Sequence, residues 1–229
     1  MRTVHFRPLA LAAIAVLTFA ANGAAQNQAP GLLNNLEVRQ LVTRAEPGDQ
    51  AQLSAHFTAL ANPYAAEAKR HLSMSQSFIG NPSRNLGYGM SAHCKQLANL
   101  NTQSETTLRE LAAYHTKLAN GTPATLPKDG ARFQSGAGAP EPSEKELNAL
   151  AAKASTPADH RGLEEYFLTL AKRYTAEANG HVALAQAYRG TRLAQAAVLQ
   201  DHLASVSREA AKEATAGAEM HKQLAGVAR

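Results

Sequence analysis

The sequence predicts an all-α protein: a four-helix bundle built from two repeated antiparallel helical hairpins, plus short accessory helices. Three observations carry this reading. Aromatics make up only 5% of the 229 residues and Trp is absent, while Ala, Leu, Gln, Glu and Lys dominate, a mixture that favours helix over sheet. Phe57, Tyr64, His71 and Phe78 fall seven residues apart, the repeat of a helix face that packs on other helices. The same spacing returns 110 positions later in Phe167, Tyr174, His181 and Tyr188, with Leu53/Leu163, Leu60/Leu170 and Ala66-Glu67-Ala68/Ala176-Glu177-Ala178 also in register. The chain is internally duplicated.

Residues 1–25 read as a Sec-type signal peptide: a basic start at Arg2 and Arg7, an apolar run from Leu9 to Phe19, and small residues at Gly23-Ala24-Ala25. The run is short for a bilayer span, and no later stretch could cross one. A periplasmic or secreted location follows. Arg2 and Arg7 carry two of the five net positive charges, so the mature chain keeps +3, spread among Glu residues. So mild a balance does not point to nucleic acid. Cys94 is the only cysteine and cannot form an internal disulfide.

Residues 26–48 form an N-terminal segment, with a short helix from Leu32 to Arg44 interrupted by Glu46-Pro47-Gly48-Asp49. The first hairpin occupies 49–120. Its first arm runs from about Asp49 to Ile79 and carries Pro63, which predicts a kink near Leu60 in this copy alone. The turn lies in Gly80 to Gly87, and the second arm runs from about Tyr88 to Ala119, stopped by Asn120-Gly121. Residues 121–142 hold four prolines and four glycines and read as a linker. A short helix from Ser143 to Ala154 follows, with Ser143 and Glu146 at capping-box spacing, so the linker and the start of this helix take 121–148. The second hairpin occupies 149–229. Thr156-Pro157-Ala158-Asp159 opens its long first arm, Gly190 turns it, and the last helix runs to about Ala225. This helix matches the second arm of the first hairpin at an offset of 106, which pairs His221 with His115 and sets Leu199-Gln200 where the first copy has His93-Cys94.

Thr156-Pro157-Ala158-Asp159-His160, Ala176-Glu177-Ala178 with His181, and His93-Cys94-Lys95-Gln96-Leu97 with the later His115 resemble a group of small, uncharacterised, exported helical proteins of bacteria. The resemblance spans nearly all of the mature chain. It implies the helical fold and export and no activity.

Histidines interrupt the otherwise apolar seams. His71/His181 and His115/His221 are repeat-related pairs. Counting from the two turns predicts one layer with His71, His93, Cys94, His181 and His202, and a second, distal layer with His56, His115, His160 and His221, provided both turns lie at the same end. The first layer is a candidate site for a soft transition metal, with copper favoured over zinc: His71 and His181 as imidazole ligands, Cys94 as thiolate, His93 or His202 as alternates. The competing reading is a structural or protein-interaction module of the cell envelope, a homo-oligomer or bound to an envelope partner, whose histidines only hydrogen-bond their neighbours. No H-x-x-x-H or E-x-x-H pair, phosphate loop, G-x-S-x-G or C-x-x-C-H occurs, and binding rather than catalysis is expected.

Overall fold

The computed structural model describes residues 32–79, 89–122 and 143–227. Residues 1–31, which include the expected signal peptide, the segment expected to form the first hairpin turn and nearly all of the expected linker lie outside them. About 90% of the described residues are helical and none is in a strand. Six helices follow one another: α1 (Asn35–Arg44), α2 (Pro47–Ile79), α3 (Gly89–Ala119), α4 (Glu144–Lys153), α5 (Pro157–Arg189) and α6 (Gln195–Val227). None is long and apolar enough to cross a membrane.

The helix starts follow local chemistry. Asn34 and Glu37 close a capping box on α1, Ser143 and Glu146 close one on α4, and Thr156 and Asp159 close one on α5, with Pro157 at the first helical position. α2 begins at Pro47, two residues earlier than the sequence suggests. Asp49 in its first turn accepts the Glu46 N–H at 3.1 Å and pairs with Arg44, so the break between α1 and α2 is short. α2 is one helix through the half-buried Pro63.

α2 packs along α3 and α5 along α6, giving the two antiparallel hairpins, and α3 lies against α6. The fourth side, between α2 and α5, is filled by the short helices. α1 packs on α5 and α2, and α4 packs on α2 and α5. Val38, Leu41 and Val42 bury one face of α1; Leu147 and Ala151 bury the matching face of α4. Each copy is therefore three helices, with the short one laid over the groove between hairpins. An isolated hairpin leaves its seam in water, and this cover closes the seam.

The two hairpins point in opposite directions along the bundle. Arg192, just past the α5–α6 turn, donates to the Ala45 carbonyl at the entrance to α2. His115 near the end of α3 meets Tyr188 at the end of α5. α2 and α5 thus run antiparallel, and the core divides in two. One cluster holds Phe57, Tyr64, Leu108 and Tyr188; the other holds Met74, Phe78, Met90, Cys94, Phe167 and Tyr174.

Gly217 on α6 permits one of the closest approaches in the second cluster. A Cβ there would sit 3.2 Å from the Phe167 ring. Gly217→Val should lower stability by about 1–3 kcal/mol through overpacking. A Gly226→Ala control, where nothing lies within 4 Å of an added Cβ, should be neutral or slightly stabilising in the same thermal melts.

Candidate functional site

The opposite directions of the hairpins separate the residues that the sequence grouped. His71 stacks near Phe167, with ring centroids 6.4 Å apart. His181 lies 14 positions further along α5, at about 1.5 Å per residue some 20 Å away, so the two histidines share no site. His202 lies on α6 near the same end as His181. His93 points away from the core, its Nδ1 2.6 Å from Glu213 Oε2 on α6. Of the predicted layer, only His71 and Cys94 stay together, at the end where α2 finishes and α3 begins. The two layers are rearranged: His56, His115 and His181 gather at one end, and His71, Cys94, His160 and His221 at the other.

In the first group each histidine is hydrogen-bonded, although the amide nitrogens of Gln50 and Gln200 are buried without a partner. His115 Nδ1 donates to Gln50 Oε1 at 2.7 Å, and Tyr188 O–H donates to His115 Nε2 at 2.9 Å. Phe57 stacks on the same ring at 5.6 Å. His181 Nδ1 donates to Gln200 Oε1 at 2.8 Å, and His56 Nδ1 accepts the Leu33 N–H at 3.0 Å, which ties the start of α1 to α2. Burial pushes His115 down to about 3 and His56 and His181 down to about 4, so all three are neutral near pH 7. These are structural histidines.

The second group is not saturated. The repeat partner of the His181–Gln200 pair is His71 with Cys94, both fully buried. His71 Nε2 lies 3.1 Å from Glu67 Oε1, within ion-pair reach though off the line of a straight hydrogen bond. Its Nδ1 is buried without a partner. Glu67 is itself buried and gathers Arg70 at 3.1 Å, Arg173 at 3.2 Å and Tyr166 at 3.3 Å. Burial opposes the Glu67 charge, but His71, Arg173 and Arg70 outweigh it and hold the carboxyl well below its usual range. A carboxylate on Nε2 favours the tautomer with a lone pair on Nδ1, an arrangement common behind metal-binding histidines. Burial pushes the Cys94 thiol far up, which leaves it protonated and unreactive until something displaces the proton.

The sulfur atoms of the described residues are equally one-sided. Met74, Met90 and Cys94 are buried in the second cluster and Met220 packs against it; the first cluster has none. Cys94 was a candidate from its sequence position; the fold brings Met74, Met90 and Met220 to the same cluster. Among the described residues, no group of three or more His, Cys, Asp or Glu side chains is placed to hold a metal ion. A ligand set here would have to be small and sulfur-containing.

No family model, curated protein or solved structure matches the chain.

Proposed function

We propose that this protein binds a soft transition metal, copper as Cu(I), through His71 Nδ1 and the Cys94 thiolate, with a thioether from Met74 or Met90 completing the shell. It acts as a binding protein rather than an enzyme. The observation that carries the reading is the unpartnered, buried Nδ1 of His71, at the place where the second copy satisfies the same atom with Gln200. A polar atom left so inside a protein costs about 1–3 kcal/mol, and a ligand would offset that. Thiolate and thioether select Cu(I) over harder ions. Zinc is disfavoured, since it asks for four nitrogen, sulfur or oxygen ligands in a tetrahedron.

Binding must release the Cys94 proton, so affinity should weaken as pH falls. Competition of the reduced protein against a colorimetric Cu(I) chelator reads this directly. His71→Gln and Cys94→Ala should each weaken binding at least tenfold. His181→Gln should leave it unchanged, because that residue lies at the other end. Equal affinity in all four proteins would refute the site.

The interaction reading rests on the outer face of α1, where Leu36 is 62% exposed beside Arg39, Gln40, Thr43 and Arg44. A single exposed leucine is ordinary surface, and the metal reading explains more of the buried chemistry. Sedimentation over a concentration range separates the two: an interaction module that self-associates through α1 gains mass with concentration, and Leu36→Lys abolishes the gain.

A further inference from the structure

We propose that His160 and His221 form a second, two-coordinate Cu(I) site, distinct from His71 and Cys94 and independent of that assignment. Their Nδ1 atoms face each other at 3.3 Å, and both side chains are buried. Duplication supplies the internal comparison. His115, the counterpart of His221, is held between Gln50, Tyr188 and the stacked Phe57 ring. The corresponding positions around His221 are His160, Phe78 and Phe167. The aromatic stack is kept, with Phe167 5.7 Å from His221 against 5.6 Å for Phe57 from His115. Both polar partners have changed. Gln50 has become an imidazole, and the Tyr188 hydroxyl has no equivalent on Phe78. His221 Nε2 is left buried with no partner.

In one cradle both nitrogens of His115 bond neutral oxygen partners, and in the other His221 Nδ1 meets a second imidazole. Two imidazoles facing end to end suit a d¹⁰ monovalent ion, for which linear two-coordination is a stable geometry. A zinc or calcium ion would lack most of its ligands. Two metal–nitrogen bonds of about 2.0 Å span about 4 Å, so the rings need to part by less than about 1 Å. The Phe167 ring stacks with both His71 at 6.4 Å and His221 at 5.7 Å, which keeps the two donor sets apart.

The test is stoichiometry by native mass spectrometry, using the reduced protein loaded anaerobically with Cu(I) and, separately, with Ag(I) as a redox-inert stand-in. The wild type should bind two ions. The His160→Gln/Phe78→Tyr double variant rebuilds the hydrogen-bonded cradle of the first copy; it should keep its helix content by circular dichroism and bind one. Cys94→Ala should also bind one, retained at the imidazole pair. A double variant that still binds two, or a Cys94→Ala protein that binds none, overturns the second site. A Cys94→Ala protein that still binds two sinks the first site instead. Should the double variant fail to fold, the imidazole ¹⁵N resonances decide. In Cys94→Ala, one equivalent of Ag(I) should shift those of His160 and His221 and leave those of His115 in place. Unmoved His160 and His221 signals overturn the proposal.

Discussion

Lowering the pH from 7 to 5 should strip several kcal/mol of stability from this protein. Four buried histidines drive the effect. Burial, reinforced by neighbouring histidines for His56, His115 and His221, pushes His115 and His221 down to about 3 and His56 and His181 down to about 4. In the unfolded chain each returns to about 6.5. Between the folded and unfolded values the unfolded state takes up protons and the folded state does not. Stability is therefore full above about pH 6.5, and it declines as pH falls through the window toward 4 and then 3. Each histidine loses about 1.4 kcal/mol per pH unit in that window, or about 2 kcal/mol by pH 5, where a typical domain holds 5–15 kcal/mol in all. Glu67, held low, adds a loss in the same direction only below the usual carboxylate range. Urea unfolding at pH 7, 6 and 5 should show a steadily falling midpoint and acid unfolding near pH 4–5. A midpoint that does not move over this range would mean that these histidines are solvated in solution.

Replacing Glu67 with Ala should cost about 3–5 kcal/mol. The carboxylate is 3% exposed and joins α2 to α5 through Arg173 and Tyr166. Its removal strips Arg173, which is 10% exposed, of its nearer carboxylate and leaves it the longer pair with Glu177 at 3.5 Å. Removing Arg173 as well, as Glu67→Ala/Arg173→Met, should recover part of the loss, since a missing ion pair is cheaper than a half-missing one. Chemical denaturation of the three variants measures both statements. Glu67→Gln carries a second signature. With the charge behind His71 gone, Cu(I) affinity should drop roughly 10–100-fold even where the fold survives. Purely additive stability effects and unchanged affinity would place Glu67 outside the metal account.

The duplicated hairpins were legible because a seven-residue aromatic repeat survives in both copies, and every main helix appears within a few residues of its expected bounds. The caps were legible for the same local reason: Ser143, Glu146, Thr156 and Asp159 act within their own turn. Two features were not. That α1 and α4 are equivalent covers, so each copy has three helices, depends on burial of Val38/Val42 and Leu147/Ala151, short apolar pairs with no long repeat behind them. The relative direction of the hairpins was open because a 22-residue linker can reach either end. That one unknown decided the candidate site. Distances counted from the turns paired His71 with Cys94 and His181 with His202 within each hairpin; in the structure His181 bonds Gln200, two residues before His202. Across hairpins the same counting failed, and His181 and His202 moved to the far end. The chemically informative contrast lay in paired positions read side by side: Gln50 against His160, Tyr188 against Phe78, Gln200 against Cys94.

X-ray absorption at the copper edge tests the central claim most directly, with one equivalent of Cu(I) bound to the protein. The account predicts a first shell containing sulfur at about 2.3 Å together with one imidazole nitrogen at about 2.0 Å, and loss of the short sulfur component in Cys94→Ala. A shell of nitrogen and oxygen alone in the wild-type protein, or one identical in Cys94→Ala, would contradict it.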